Sequence, residues 1–528
     1  MAAPVVRSLG PSLRRREPQV FLALAGTALV AACAAPLASL AAREGASWAT
    51  AAELLGGSGA AALLLRSLGL SATVTLLALG IGVPLGVVVG RTDARGRSAA
   101  WLLHAFPAFL PPFLLALGWF HVLGARGLAG SESSSRLLFS EAGVVLVLAL
   151  ALAPIVTSVV AVGLQALDPS LEDAARVAAG PLRVVTRILL PSAAPATVLA
   201  AIVVFTLAFS ELGVPMFLRV EVFPAAVFSR LGGIDYAPGE ALALVLPLVP
   251  VALLLLAAER RLVGLRSYAV LGLRSPRADR LSLGRGRTSA SLALWLVALV
   301  SIAPIAGLAV RALSGGGFAQ VSAWISRAPW NSLGSAAVAA TVIVAIGLVV
   351  GHAAARRLPG AAFLDAAAVL AFVTPAALLG IGIVGLWNRP GLQWVYAGTG
   401  ILVVGYVARY AVLGVRTIGA LVAQTPPHLE EAAAVAGAGY ARRLGRILVP
   451  LHARGIGFAW LLAFVFCLRD LETAILYYPP GGEPLTVRIF TLEANGPEPL
   501  VAALALVHVA LTAAFVAGGG FLARRRPA

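Results

Sequence analysis

Apolar residues gather into long runs near 19–42, 67–90, 99–123, 142–166, 194–218, 241–263, 290–312, 331–354, 363–387, 397–420, 455–478 and 499–521, separated by short polar segments. Each reaches the roughly 20 residues a helix needs to cross a hydrocarbon core about 30 Å thick. The runs are continuous and do not alternate with period two. That favours helices, which satisfy their own backbones in lipid, over a barrel. The pattern predicts an all-α integral membrane protein with about 12 transmembrane helices.

The polar interruptions repeat. LEDAARVAAGPLRVVTRILLP occupies Leu171 to Pro191 and LEEAAAVAGAGYARRLGRILVP occupies Leu429 to Pro450, each between the fourth and fifth run of its half. The second run ends LGIGVPLGVVVGRTDARGR and the eighth VAIGLVVGHAAARRLPG, while the third and ninth both carry proline in mid-span. Two pseudo-symmetric six-helix halves follow, at 19–263 and 290–522. An Arg/Gly-rich linker at 264–289 joins them, and short polar segments at 1–18 and 523–528 flank them. The first run, with its basic start, resembles a secretory signal, but its length reads as a retained helix.

Composition agrees: 60% of residues are hydrophobic, 12% are charged and the mean hydropathy is +0.93, against about a quarter charged in soluble domains. All 40 basic residues are arginine. They concentrate on one side, for example Arg14 to Arg16, Arg91, Arg95, Arg97, Arg356, Arg357 and Arg524 to Arg526, which places that side and both termini in the cytoplasm. The one-sided charge accounts for a pI near 11.3 without nucleic acid. Cys33 and Cys467 lie in apolar runs and the six histidines are scattered, so no metal site, disulfide or catalytic group is expected.

The repeated segment reads as a compact knob on the cytoplasmic side. In the second copy, Glu430 and Glu431 sit in the first turn of a helix, where carboxylates complement the dipole. Ala432 to Ala434 favour helix, Gly437 and Gly439 break it, and a basic helix with Arg442, Arg443 and Arg446 leads to Pro450. This order resembles the EAA motif of membrane subunits of bacterial ABC importers: Glu431, Ala432, Ala433, Gly437 and Pro450 fall on the pattern. In the first copy Glu172, Asp173, Ala174, Ala175 and Pro191 follow it, but Ala179 stands at the glycine position, with Gly180 next. The resemblance implies that both knobs are coupling helices docking on an ATP-binding subunit, present in two copies, and that an extracytoplasmic solute-binding protein delivers the substrate.

No lysine is present, so no P-loop can be built. ATP and Mg belong to the partner, the chain binds no cofactor of its own, and it is a transport subunit rather than an enzyme. The string LSGGG at Leu313 to Gly317 reads as an extracytoplasmic turn.

Charges at membrane depth are expensive and mark functional positions. Glu211 follows Pro191 by 20 residues and Asp470 follows Pro450 by 20, with Arg469 and Glu472 beside the latter. These four either line the translocation pathway, or serve structure with Arg469 pairing locally with Asp470 or Glu472, or lie near the outer interface and meet water. The surrounding segments, FSELGVPMFL and CLRDLETAILYYPPGGEPLTVRIFTL, and the RTDARGR turn resemble the fused permeases of the ferric-iron importer group, which implies ferric iron as substrate and the bacterial inner membrane as location. Thiamine and phosphonate permeases share the plan. An ion-coupled secondary transporter is the more distant alternative.

Overall fold

The computed structural model describes residues 11–41, 56, 59–165, 167, 180–232, 246–263 and 280–524. Helices dominate, and no strand is found among these residues. The long helices are α1 (Pro11–Leu29, continued to Ala41 through a π turn), α2 (Ala60–Arg91), α3 (Arg97–Ala105), α4 (Pro112–Leu123), α5 (Glu141–Gln165), α6 (Ala194–Ser210) and α7 (Leu248–Ala258) in the first half. The second half has α8 (Arg287–Ser314), α9 (Ala328–Ala355), α10 (Ala361–Val373), α11 (Ala376–Trp387), α12 (Gly400–Ala423), α13 (His428–Val435), α14 (Ala453–Leu468) and α15 (Glu498–Arg524). Seven helices are long and apolar enough to cross a membrane singly, or up to eleven spans if each bent pair counts as one. The chain is thus an all-helical multi-pass membrane protein. The sixth expected span, 241–263, is described only from 246, and most of the 264–289 linker lies outside the described residues.

Two spans expected to be continuous are broken. The third bends by 111° between Phe109 and Pro112, and the ninth by 113° between Val373 and Ala376. The cause is shared: Pro111 and Pro375, 264 positions apart, sit at the breaks, where a proline can neither donate a hydrogen bond nor leave its predecessor helical. The fifth and eleventh spans also stop short of their expected ends, at Ser210 and Leu468, and the chain continues through turns and short helices.

Within each half, small residues set the closest helix contact. A Cβ on Gly82 or Gly86 of α2 would come within 2.8 Å of Val156 or Val160 of α5. On Gly347 or Gly351 of α9 it would come within 2.6 Å of the α12 backbone. A glycine every fourth residue lets two membrane helices approach closely, where dispersion and weak hydrogen bonds hold them.

The halves exchange their first helices, which a simple division at 263 does not anticipate. In α1 and its continuation, the Cys33 thiol donates to the Ala408 carbonyl of α12 at 3.4 Å, and the Ser39 hydroxyl reaches Gly382 of α11. Conversely, Ser301 of α8 bonds His104 of α3 at 2.8 Å, and Gly307 of α8 packs on Gly118 of α4. The LSGGG string ends α8 in a turn, with Gly316 at φ 66° and Gly317 seated against Pro499.

Candidate coupling and translocation sites

Most of the first knob lies outside the described residues, including Glu172, Asp173, Ala174 and Ala175; Gly180 and Pro191 are described. The second is described throughout. α13 ends at Val435 with Gly437 at φ 86°. The Ala438 amide donates to the Ala433 carbonyl at 2.9 Å and the Gly437 amide to Ala434 at 3.0 Å, the paired closure that a glycine in the left-handed region permits at a helix C-terminus. Residues Tyr440–Leu451 form the second arm, with a π turn at Leu444–Leu448, and meet α14 at 87°. The first copy has its own π turn at Val185–Leu189, so the repeat extends to this irregularity.

Adjacent carboxylates take opposite roles. Glu431 is exposed, whereas Glu430 is buried and anchors α13 to the end of α9. One Glu430 oxygen accepts both Nε and Nη2 of Arg356, at 2.9 and 2.6 Å, and the other meets His352 Nε2 at 2.8 Å. The Tyr440 hydroxyl lies 3.1 Å from His352 Nδ1. Burial alone would raise the Glu430 carboxyl, but the hydrogen bonds and charges of His352 and Arg356 outweigh it and lower it to about 2. Burial, helped by the Glu430 charge, pushes the Tyr440 phenol up to about 12. From α1, Glu17 accepts the Tyr440 amide at 2.7 Å and Phe21 lies against the Tyr440 ring. Held from behind, α13 presents Leu429, Glu431, Ala432 and Val435 outward, Val435 at 90% exposure.

The four candidate pathway residues come together inside the helix bundle. Glu211, Arg469, Asp470 and Glu472 line one cavity with Pro111, Pro112, Leu152 and Tyr410. Its free volume of about 10 Å³ holds no more than about one water. Glu211 and Asp470 occupy matching places. Each ends a helix and accepts the amide three residues on, Val214 at 3.2 Å and Thr473 at 2.8 Å. Asp470 also accepts the Tyr410 and Thr473 hydroxyls, at 2.6 and 2.8 Å.

Arg469 does not pair with its neighbours. Its Nη1 donates to the Ala108 carbonyl at the break of the third span, and its guanidinium lies over the Phe466 ring. Arg409 provides the counter-charge instead: Nη2 donates to Glu472 at 3.1 Å, Nε lies 3.8 Å from Asp470, and Nη1 reaches the Thr374 carbonyl at the break of the ninth span. Each break frees carbonyls that lipid cannot satisfy, and each receives a guanidinium. Glu472 lines the same cavity as Glu211, so the charges of both halves form one cluster. Among the described residues, no group of three His, Cys, Asp or Glu side chains is placed to hold a metal ion.

A second buried network joins the halves nearer the knob. Arg416 of α12 grips Asp365 of α10 with two bonds of 2.6 and 2.8 Å and donates to Glu259, just beyond α7, at 2.9 Å. Arg260 reaches Asp365 at 2.8 Å. Sequence reasoning missed Tyr410, Arg416, Asp365, His352 and Arg356. For Arg409 and Arg416 a signal existed: spaced seven apart, they share a helix face with Tyr410 adjacent.

Residues 82–264 match the family model described as binding-protein-dependent transport system inner membrane component. A putative ferric transport system permease of Haemophilus influenzae is 24% identical over 78% of this chain and 70% of its own length. A ferric transport system permease of Actinobacillus pleuropneumoniae is 22% identical over 82% of this chain and 66% of its own. A trehalose transport system permease of Mycobacterium tuberculosis is 30% identical over 28% of this chain and 54% of its own. Alongside the repeated knob sequence and the paired helix breaks, residues 82–264 thus match the inner-membrane component of binding-protein-dependent transport systems, and most of the chain is similar to ferric transport permeases.

Proposed function

We propose that this chain is the membrane subunit of an ATP-binding cassette importer that receives ferric iron from an extracytoplasmic binding protein and releases it into the cytoplasm. A separate ATPase docks on both knobs, with Glu172, Asp173, Ala174, Ala175, Gly180 and Pro191 in the first and Glu431, Ala432, Ala433, Gly437 and Pro450 in the second, where Glu430 serves the coupling by anchoring the knob from behind. The observation that carries the reading is the second knob: it is fastened by its inner carboxylate and by Tyr440, while its other face is apolar, small and open. A knob so fastened moves as one body with α9 and α1, so closure of the ATPase is transmitted to the spans and rocks the halves between two states. The chain makes and breaks no covalent bond, and its differential contacts with the ATPase supply the coupling.

The interior cluster supports a cationic substrate. Three carboxylates and a phenol face two guanidinium groups, an acidic excess suited to a hard cation and unsuited to an oxyanion. The ligands are not preassembled into a cage, as passage demands: binding must be weak enough to release. Opening of the halves would part Glu211 from Glu472 and expose the carboxylates along the route.

The test is uptake into proteoliposomes containing the chain with its cognate ATPase and binding protein. ATP-dependent accumulation of labelled ferric iron, unaffected by excess molybdate or thiamine and abolished by Glu431→Lys, is the expected result. Accumulation of molybdate, thiamine or a phosphonate in place of iron would refute the substrate. Iron uptake that needs an ion gradient and no ATP would refute the importer.

A further inference from the structure

A groove of about 870 Å³ runs between α1 and the turn that starts α10, lined by Leu22, Ala23, Gly26, Gly360, Phe363 and Leu364. Its lining is mostly apolar, with Gln19 and Thr27 also on it, and Ala23 and Phe363 are exposed along it.

The first half contains the same construction, closed. Gly96 and Gly360, 264 positions apart like the two break prolines, both precede a helix with positive φ, 67° and 84°. Over Gly96 lies Trp295 of α8, so near that a Cβ there would come within 2.9 Å of the indole nitrogen. Over Gly360 nothing lies within 4 Å. The exchanged first helix thus brings an indole to one copy and Ala23 and Gly26 to the other.

Charge differs in the same way. In the first copy Asp93 accepts the Leu283 amide at 3.1 Å and lies 3.6 Å from Arg287, so the chain leading into α8 is held by an acid. The corresponding residue of the second copy is Arg357, exposed, with no side-chain partner among the described residues. It sits at φ 55° in the αL position that ends α9, where its amide bonds Ala354 and the next amide bonds Ala353. Glycine is the usual occupant of such a position. Positions 14 to 16 of the facing helix are also arginine. Arg357 directly precedes Leu358 and Pro359 of the groove lining, so this copy carries a basic residue where the first pairs opposite charges.

We propose that this groove binds one anionic phospholipid, an acyl chain lying along Gly26 and Leu364 and the phosphate on Arg357. An apolar slot with a basic rim between membrane helices is the chemistry that selects an anionic headgroup, and a guanidinium suits a phosphate by its planar donor geometry. The site rests only on the membrane placement of the chain, not on its substrate. It also lies against the helix whose Glu17 and Phe21 hold Tyr440.

The full-length protein, purified in mild detergent, is incubated with an equimolar mixture of phosphatidylglycerol and phosphatidylcholine of identical chains, and retained lipid is counted by native mass spectrometry. One retained phosphatidylglycerol per chain is expected, preferred about fivefold or more. Arg357→Asp, which copies the charge of Asp93, should remove the preference. Ala23→Trp, which supplies the indole of the first copy, should remove the retained lipid. Absence of retained lipid, equal retention of both headgroups, or an unchanged preference in Arg357→Asp overturns the proposal. Arg357 is exposed, so that variant decides even if Ala23→Trp does not fold.

Discussion

The two halves put a carboxylate at the same helix end and surround it with different chemistry. Glu211 and Asp470 each cap the amide three residues on. Beside Glu211 the facing helix α5 offers Ala151 and Leu152; at the corresponding positions, 258 residues on, α12 offers Arg409 and Tyr410. The duplication conserved the backbone device, a broken helix closed by its own acid, while the charged machinery gathered in one half. Twofold architecture does not require twofold chemistry. Where α5 keeps an apolar face, the ion pairs of α12 serve both halves, because Glu211 lines the same cavity as Asp470 and Glu472.

The largest effect should come from the counter-charge that only one half possesses. Arg409→Met leaves Asp470 and Glu472 buried without their guanidinium, which costs about 3–5 kcal/mol. The unfolding midpoint of the detergent-solubilised protein should fall sharply, and an unchanged midpoint would dissolve the comparison. Next is the anchor of the second knob. Glu430→Gln gives up charged hydrogen bonds worth about 1.5–3 kcal/mol and should loosen α13 without removing the protein from the membrane, read as faster amide exchange at Ala432 to Ala438. In the wild type the folded carboxyl titrates below its ordinary 4.5, at about 2. Its contribution is therefore complete above about pH 4.5 and lost as pH falls toward 2, and the Gln variant should lack that acid-dependent loosening.

Gly437→Val should cost about 1–2 kcal/mol, since valine is forced into the left-handed region. The loss should appear in coupled uptake more than in protein level, and full uptake with a normal ATPase complex would remove the knob from the mechanism. The smallest effect separates the paired carboxylates. Glu211→Gln keeps an oxygen for the Val214 amide and should cost below about 1 kcal/mol. Asp470→Asn disturbs bonds from two hydroxyls and two amides and should cost clearly more. Equal costs would show that the halves are chemically alike after all.

The helical multi-pass character and the second knob were legible in the sequence, because lipid enforces run length and the glycine that closes α13 stands out in the repeated string. The proline breaks were half legible. Pro111 and Pro375 were visible, but an apolar run looks the same whether it crosses straight or turns by 111°, since both arms stay in contact with apolar surroundings. The exchange of α1 and α8 left no local mark, because packing of one apolar helix on another is decided by shape, as at Gly118 against Gly307. The matched depth of Glu211 and Asp470 followed from their spacing. The partner of Asp470 did not: the adjacent Arg469 offered itself, yet the helix end turns it to Ala108 and leaves the pairing to Arg409, 61 positions earlier. Glu430 was expected to serve the helix dipole beside Glu431, and its inward role appears only once α9 brings His352 and Arg356 to it.

The open face of α13 is the centre of this account, and Val435 is its most exposed apolar side chain. A photo-reactive phenylalanine analogue placed at 435 in the assembled transporter, irradiated and analysed by mass spectrometry, should form its main adduct with the ATP-binding subunit, and the adduct should change in yield when ATP is bound. A transport-competent complex whose residue 435 cross-links to lipid or water alone, with and without ATP, would contradict the account.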